Sequence, residues 1–291
     1  FNMNGGVLTN TSQTDPRIFN NLVGGVVNIN SWRLETLGWS LINMYNAGTI
    51  NKNAGPFPKF IFSGDRWRNL DGGVVNVNSG ILQIGPNGLT PDLVEQRGTF
   101  NISSGTTLQL SSNFAFRFFG TAINNNGTLG TPELLFLGTT PQALNGNGTI
   151  PSLTIASPGG VTLGGTQTIT SNLTLTSGTL TLGNNDLIIG SSAMNGGSAT
   201  SYLITNGTGS LRRTIPSNGN SVFPVGTDGS YLPATVQLDG ASTTDEFRVR
   251  VVSGVSTTYD VNDLPTGTSI TSAALQNAWV IREGTAGGSN A

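Results

Sequence analysis

The chain has 291 residues, 13 basic and 15 acidic, and a formal charge of −2. It has no basic stripe able to neutralise a phosphate backbone, so nucleic acid is not an expected partner. It contains neither cysteine nor histidine, which removes disulfides, thiolate chemistry, cysteine and histidine zinc sites and every Ser-His-Asp or Cys-His catalytic arrangement.

Charged residues make up 10% of the chain, against about 25% in an ordinary soluble domain. The 36% hydrophobic residues and 41 glycines nevertheless supply a normal apolar share, which argues against disorder. Asn, Ser, Thr and Gly stand where Lys and Glu usually would, and the apolar residues are Val, Ile, Leu and Phe in short alternating runs. This predicts an all-β chain. No apolar run reaches the roughly 18 residues of a membrane span, and no charged-then-apolar leader precedes Phe1. A start at Phe rather than Met is expected of a processed chain or a fragment. Freedom from cysteine fits a polypeptide kept unfolded for export.

The first 150 residues repeat a triplet of Gly, then Val or Thr, then a large apolar residue: Gly6-Val-Leu8, Gly25-Val-Val27, Gly48-Thr-Ile50, Gly73-Val-Val75, Gly98-Thr-Phe100, Gly127-Thr-Leu129 and Gly148-Thr-Ile150. The spacings are 19, 23, 25, 25, 29 and 21. One strand-like triplet per unit at this period marks a solenoid, whose units bury their apolar side chains only against their neighbours. The next position holds Asn28, Asn51, Asn76 and Asn101 in four consecutive units, which predicts an inward-facing ladder of amides bonded from coil to coil about 4.8 Å apart. Second strands follow, in which Leu82 with Ile84, Leu108 with Leu110 and Leu180 with Leu182 face inward at period 2.

The expected architecture is a right-handed parallel β-helix over 1–195, on the order of 40 Å long for eight or so coils. Two aromatic intervals interrupt the period. One spans 32–67, with Trp32, Trp39, Tyr45, Phe57, Phe60, Phe62 and Trp67, and the other runs through Phe114, Phe116, Phe118 and Phe119. They read as filling or covering a wider section of the rod. Trp32, Trp39, Tyr45 and Trp67 are also the candidate platform for sugar rings. Regular Thr/Leu alternation follows from about residue 150, and then small residues over 191–199. Residues 196–291 are expected to form a small antiparallel β-sandwich-like module covering the rod's end, probed most clearly by Phe247-Arg-Val249-Arg-Val251 and Trp279-Val-Ile281, with Arg248 and Arg250 on an outer face.

The run from Asn172 to Asp186, Tyr202-Leu-Ile204 with Gly209, Phe223-Pro-Val-Gly-Thr227 and Tyr231-Leu-Pro233 resemble the large surface and secreted adhesin-like proteins of Bacteroidetes-type bacteria. The resemblance implies haemagglutinin- or autotransporter-like β-helical rods exported by type IX secretion, located extracellularly or on the cell surface. Surface glycans or other chains of a surface assembly would be the partners. Such proteins usually carry a C-terminal sorting domain, which is not visible here.

Catalytic signals are sparse. Lys52 and Lys59 could serve a Ser-Lys scheme but lack a motif. Parallel β-helices host polysaccharide lyases and glycosidases that use paired carboxylates, and Asp65, Asp71 and Glu95 are the candidates. Asp71 and Glu95 do not quite share a register position, and Arg66, Arg68 and Arg97 beside them fit a surface ion-pair group. Asp260-Val-Asn262-Asp263 falls short of a calcium loop. No metal and no cofactor is expected. The sequence thus reads as a non-catalytic structural and adhesive rod; the alternatives are a carbohydrate-binding module over 32–67 and a polysaccharide-degrading enzyme.

Overall fold

Strands such as Val74–Val77 alternate half-buried with buried residues, so Val75 and Val77 point inward while Val74 and Asn76 point out. A strand with one apolar face has to lay that face on something, and the nearest equal is the same strand one coil later. The computed structural model describes residues 2–3, 17–30, 42–54, 59–62, 67–84, 95–110, 115–261, 265–270, 276–285 and 287. It is an all-β solenoid built on a 12-stranded and a 14-stranded sheet, with a 3-stranded sheet beside them in the first coils. Along the 12-stranded sheet, parallel partners lie between 19 residues (Gln142 and Val161) and 26 residues (Asn2 and Asn28) apart.

Its core is a set of columns. Val27, Ile50, Val75, Phe100, Ile123, Leu144 and Leu163 follow one another in register, all buried. Leu82, Leu108 and Leu129 do the same in the 14-stranded sheet. Leu82, Ile84, Leu108, Leu110, Leu180 and Leu182 all face the core, as their alternation implied. Aromatic rings pack on one another within this core: Phe100 lies 5.0 Å from Phe116, edge to face, and Phe118 lies 5.4 Å from Phe136.

The repeat itself needs one correction. Gly25, Gly48, Gly73 and Gly98 precede strands of the 12-stranded sheet, but Gly127 and Gly148 precede Thr128–Gly130 and Thr149–Ala156, which belong to the 14-stranded sheet. The strand that follows Thr99–Ile102 in the first sheet is Ala122–Asn125, with Phe100 paired to Ile123. The 29-residue gap in the triplet spacing was therefore a change of sheet rather than a long coil. Gly6-Val-Leu8 lies outside the described residues.

Parallel pairing runs on past residue 196, where the antiparallel module was expected to begin. Leu203–Ile204 and Val225–Thr227 continue the 12-stranded sheet, and Leu211–Ile215 continues the 14-stranded one. The chain then reverses within those same sheets. Ser230–Tyr231 pairs antiparallel with Val225–Thr227, Asp245–Ser253 with Leu211–Ile215, and Asn277–Glu283 with Asp245–Ser253. A separate two-stranded hairpin, Asn220–Phe223 with Ala234–Gln237, contributes Phe223 and Val236 to the common core. The end of the parallel stack is thus closed by antiparallel strands hydrogen-bonded to it edge-on. Within them Arg248 is exposed, as its alternation implied, whereas Arg250 is buried and donates to the Gly207 carbonyl oxygen at 3.0 Å.

Lys52 occupies a core position between Ile29 and Val77 in register. It is 2% exposed, and its Nζ donates to the Ala54 carbonyl oxygen at 3.3 Å. Burial lowers its pKa from the ordinary lysine value. The unfolded chain therefore holds this proton at pH values where the folded chain has released it, so stability rises with pH from the depressed folded pKa up to the ordinary one. Replacing Lys52 by isoleucine, which matches its column, should stabilise the fold by about 1–2 kcal/mol near neutral pH. It should also flatten that alkaline rise. Thermal melts of both proteins between pH 7 and 10.5 test this.

Candidate functional site

The chain carries two systems of asparagine columns, and they do different things. The outer one contains Asn28, Asn51, Asn76 and Asn101, where each later amide donates to the earlier one at 2.7–2.8 Å. It extends to Asn2 at one end and through Asn124 to Asn145 at the other. These residues stand on the outward, half-buried positions of their strands, so the expectation that Asn28, Asn51, Asn76 and Asn101 face inward is corrected. The cause is the pleat: the apolar residue of each triplet points in, and the next residue must point out. Gly164 follows Asn145 in register and ends the column. A shorter column, half-buried Asn30 and Asn53 and exposed Asn78, runs beside it with bonds of 3.1 and 2.9 Å.

The inner system lies at a corner of the coil. Asn21 donates to Asn46, and Asn46 to Asn69, each at 2.7 Å, and all three are buried. Their amides also satisfy carbonyls of the next strand: Asn21 reaches Thr49, Asn46 reaches Val74 and Asn69 reaches Thr99. Gln96 caps the column by accepting from the Asn69 backbone N–H at 2.9 Å. Sequence reasoning missed these residues because they precede their register glycines by four, two and four positions, an offset too irregular to read as a column. Deeper along the rod, Asn125 and Gln167 repeat the device with an amide-to-amide bond of 3.2 Å.

The proposed sugar platform does not survive at Trp67. That side chain is 4% exposed, with its ring 5.9 Å from Phe100 in the core, so its face cannot stack on a ligand. Tyr45 is half-buried on the strand Ile42–Asn46. Trp32 and Trp39 lie outside the described residues. In the second aromatic interval Phe116 and Phe118 are core residues, while Phe119 is half-buried under the Arg97 guanidinium, 5.2 Å from its ring centre.

The candidate acids are not brought to one position. Asp71 stands on an exposed turn, whereas Glu95 lies on a strand opposite Arg117. Backbone bonds from Arg97 and Gly98 to the Asn69 carbonyl place Glu95 before that turn and Asp71 in it. Asp65, Asn262 and Asp263 lie outside the described residues, as does the side chain of Lys59. Among the described residues no group of three His, Cys, Asp or Glu side chains is placed to hold a metal ion, and no helix is long and apolar enough to cross a membrane.

What the described geometry offers is a lateral surface. On the outward face of the 12-stranded sheet, amides repeat once per strand from Asn2 to Asn145, each fixed by its neighbours and each retaining hydrogen-bonding capacity toward solvent. Comparison with protein-family models, curated proteins and solved structures gave no match, so the functional reading rests on this geometry.

Proposed function

We propose that the chain is a non-catalytic structural and adhesive rod, part of a large extracellular or surface-bound bacterial protein of the adhesin-like kind that its C-terminal half resembles. One observation carries the reading: an unbroken outer column from Asn2 to Asn145, every rung bonded to the next. Such a column does two jobs. It fixes the orientation of amides that would otherwise rotate freely, and it presents them at the strand repeat of about 4.8 Å as a regular row of donors and acceptors able to meet hydroxyl groups. Eleven parallel strands at that spacing make a stack about 50 Å long, enough to hold a binding surface away from its point of attachment.

Support for the absence of chemistry comes from the same geometry. Asp71 and Glu95 occupy different register positions, and Lys52, one of the two lysines considered for a Ser-Lys scheme, is sealed in the core with a carbonyl oxygen as its partner. Surface glycans are the partners the reading favours, met by the lateral face rather than by an aromatic platform. The test is retention without turnover: beads bearing the chain should be held on polysaccharide-coated surfaces while the coating stays intact.

A further inference from the structure

The outward face of the 14-stranded sheet changes character at its end. In the middle of the rod its outward line is Thr107, Thr128, Thr149 and Thr168, one hydroxyl per strand. Where the pairing turns antiparallel, the facing residues are Arg212, Arg248 and Arg282, directly opposite one another across three strands. Arg250 stands one pleat further along the same face as Arg248, opposite Val280. The whole chain has 13 basic residues, so four of them at one place is a concentration of charge. Like charges directly opposed across a sheet are unfavourable, and a sheet built only for stability would have kept its threonines.

The arrangement around these arginines is constructed. Arg212 is held by Asp186 at 3.4 Å and by Glu246 at 2.7 Å, and Glu246 also reaches Arg248 at 3.5 Å. Arg282 donates to the Val261 carbonyl oxygen and Arg250 to that of Gly207, each at 3.0 Å. These bonds fix the direction of guanidinium groups that carry five N–H donors apiece. Arg248, Arg250 and Arg282 line a cleft of about 330 Å³ whose wall also includes the corner carrying Asn184, Asp186, Thr208 and Ser210. That wall is itself rigid: Asn184 accepts from the Thr208 backbone N–H at 3.1 Å, and Asp186 from that of Ser210 at 2.9 Å.

We infer that this cleft binds an acidic saccharide, with Arg248 and Arg282 taking its carboxylate or sulfate group and Thr208, Ser210 and Asn184 meeting its hydroxyls. A guanidinium fork matches the two oxygens of a carboxylate or sulfate. The predominantly polar lining suits a hydroxyl-rich ring better than a lipid or a heterocyclic base. A volume near the lower end of the about 300–1,000 Å³ seen for ligand sites has room for a saccharide unit at the end of a longer chain.

The test is titration of the full chain with an oligogalacturonate, a sulfated heparin-derived oligosaccharide, a neutral cello-oligosaccharide and inorganic sulfate. At least one of the two acidic oligosaccharides should bind, and more weakly as salt is raised; which of them binds more tightly separates carboxylate from sulfate recognition. Arg248→Ala and Arg282→Ala should each weaken that binding tenfold or more, while Arg97→Ala, remote from the cleft, should not. Arg248 is well exposed, so its variant is expected to fold; thermal melts check both, and if one is destabilised the other decides. Equal binding of the neutral oligosaccharide, equal binding of sulfate alone, no binding of either acid, or binding unchanged in the arginine variants overturns the assignment. Continued bead retention by arginine variants that no longer bind the acids would leave the rod's lateral adhesion standing, whereas loss of retention by the wild-type chain would count against adhesion and not against the cleft.

Discussion

Asn69→Leu should cost the fold about 3 kcal/mol, whereas Asn76→Ala should cost less than about 1 kcal/mol, although both remove a rung from an asparagine column. Asn69 is fully buried and accepts from Asn46 at 2.7 Å while donating to the carbonyls of Gly73 and Thr99, both at 3.2 Å. Leucine has about the right volume, but it leaves one N–H of the Asn46 amide without its acceptor and takes the Asn69 donor from the carbonyls of Gly73 and Thr99 in a place water does not reach, where an unsatisfied group costs about 1–3 kcal/mol and each lost bond about 1 kcal/mol. Asn76 sits half-exposed between Asn51 and Asn101. Water can take over its partners there, so only the small net worth of the bonds is lost. Urea unfolding of the two variants gives the comparison directly. Equal losses would mean that the two columns share one environment.

Gly98→Ala should be about as damaging, at about 3 kcal/mol, for a reason that has nothing to do with chain flexibility. An added Cβ would collide with the Gly73 carbonyl oxygen and the Asn69 side-chain amide, so either the backbone of the preceding coil or the inner column would have to move. Gly72 provides the control. Its φ of 78° lies in the left-handed region, but a Cβ there would meet no atom within 4 Å. Gly72→Ala should therefore show only the conformational cost of about 1–2 kcal/mol. Thermal midpoints of the two variants separate crowding from backbone conformation.

The collision at Gly98 also explains why the repeat could be read at all. Gly25, Gly48, Gly73 and Gly98 each have an inner asparagine side chain or a carbonyl of the preceding coil where a Cβ would go, so the position accepts no other residue and the triplet shows through divergent coils. The outer column was legible because Asn28, Asn51, Asn76 and Asn101 keep one fixed offset from that glycine. Its direction was not, because a ladder of amides suggests burial while the pleat decides the side. Asn124 and Asn145 belong to the same column but were hidden when the triplet passed to the other sheet at Gly127.

Other features depend on distances along the chain that no local pattern records. Trp67 reads as a ligand platform from its aromatic neighbourhood, and it becomes core because its strand continues the inner face beside Phe100. The arginine row is assembled from residues 36 and 34 positions apart, across pairings that reverse direction. Alternation placed Arg248 and Arg250 on one outer face, but only the register adds Arg212 and Arg282.

The central claim is a rod that holds polysaccharide without acting on it, and chain-length analysis of the bound polymer tests it most directly. Acidic and neutral polysaccharides would be incubated with the full chain for long periods, sedimented with it, and then sized and assayed for new reducing ends and for unsaturated uronates. The account predicts that at least one polymer co-sediments with its length unchanged and with neither product formed. Shortened polymer with either new end group would contradict it and make the chain an enzyme; a panel in which nothing co-sediments would contradict its adhesive role.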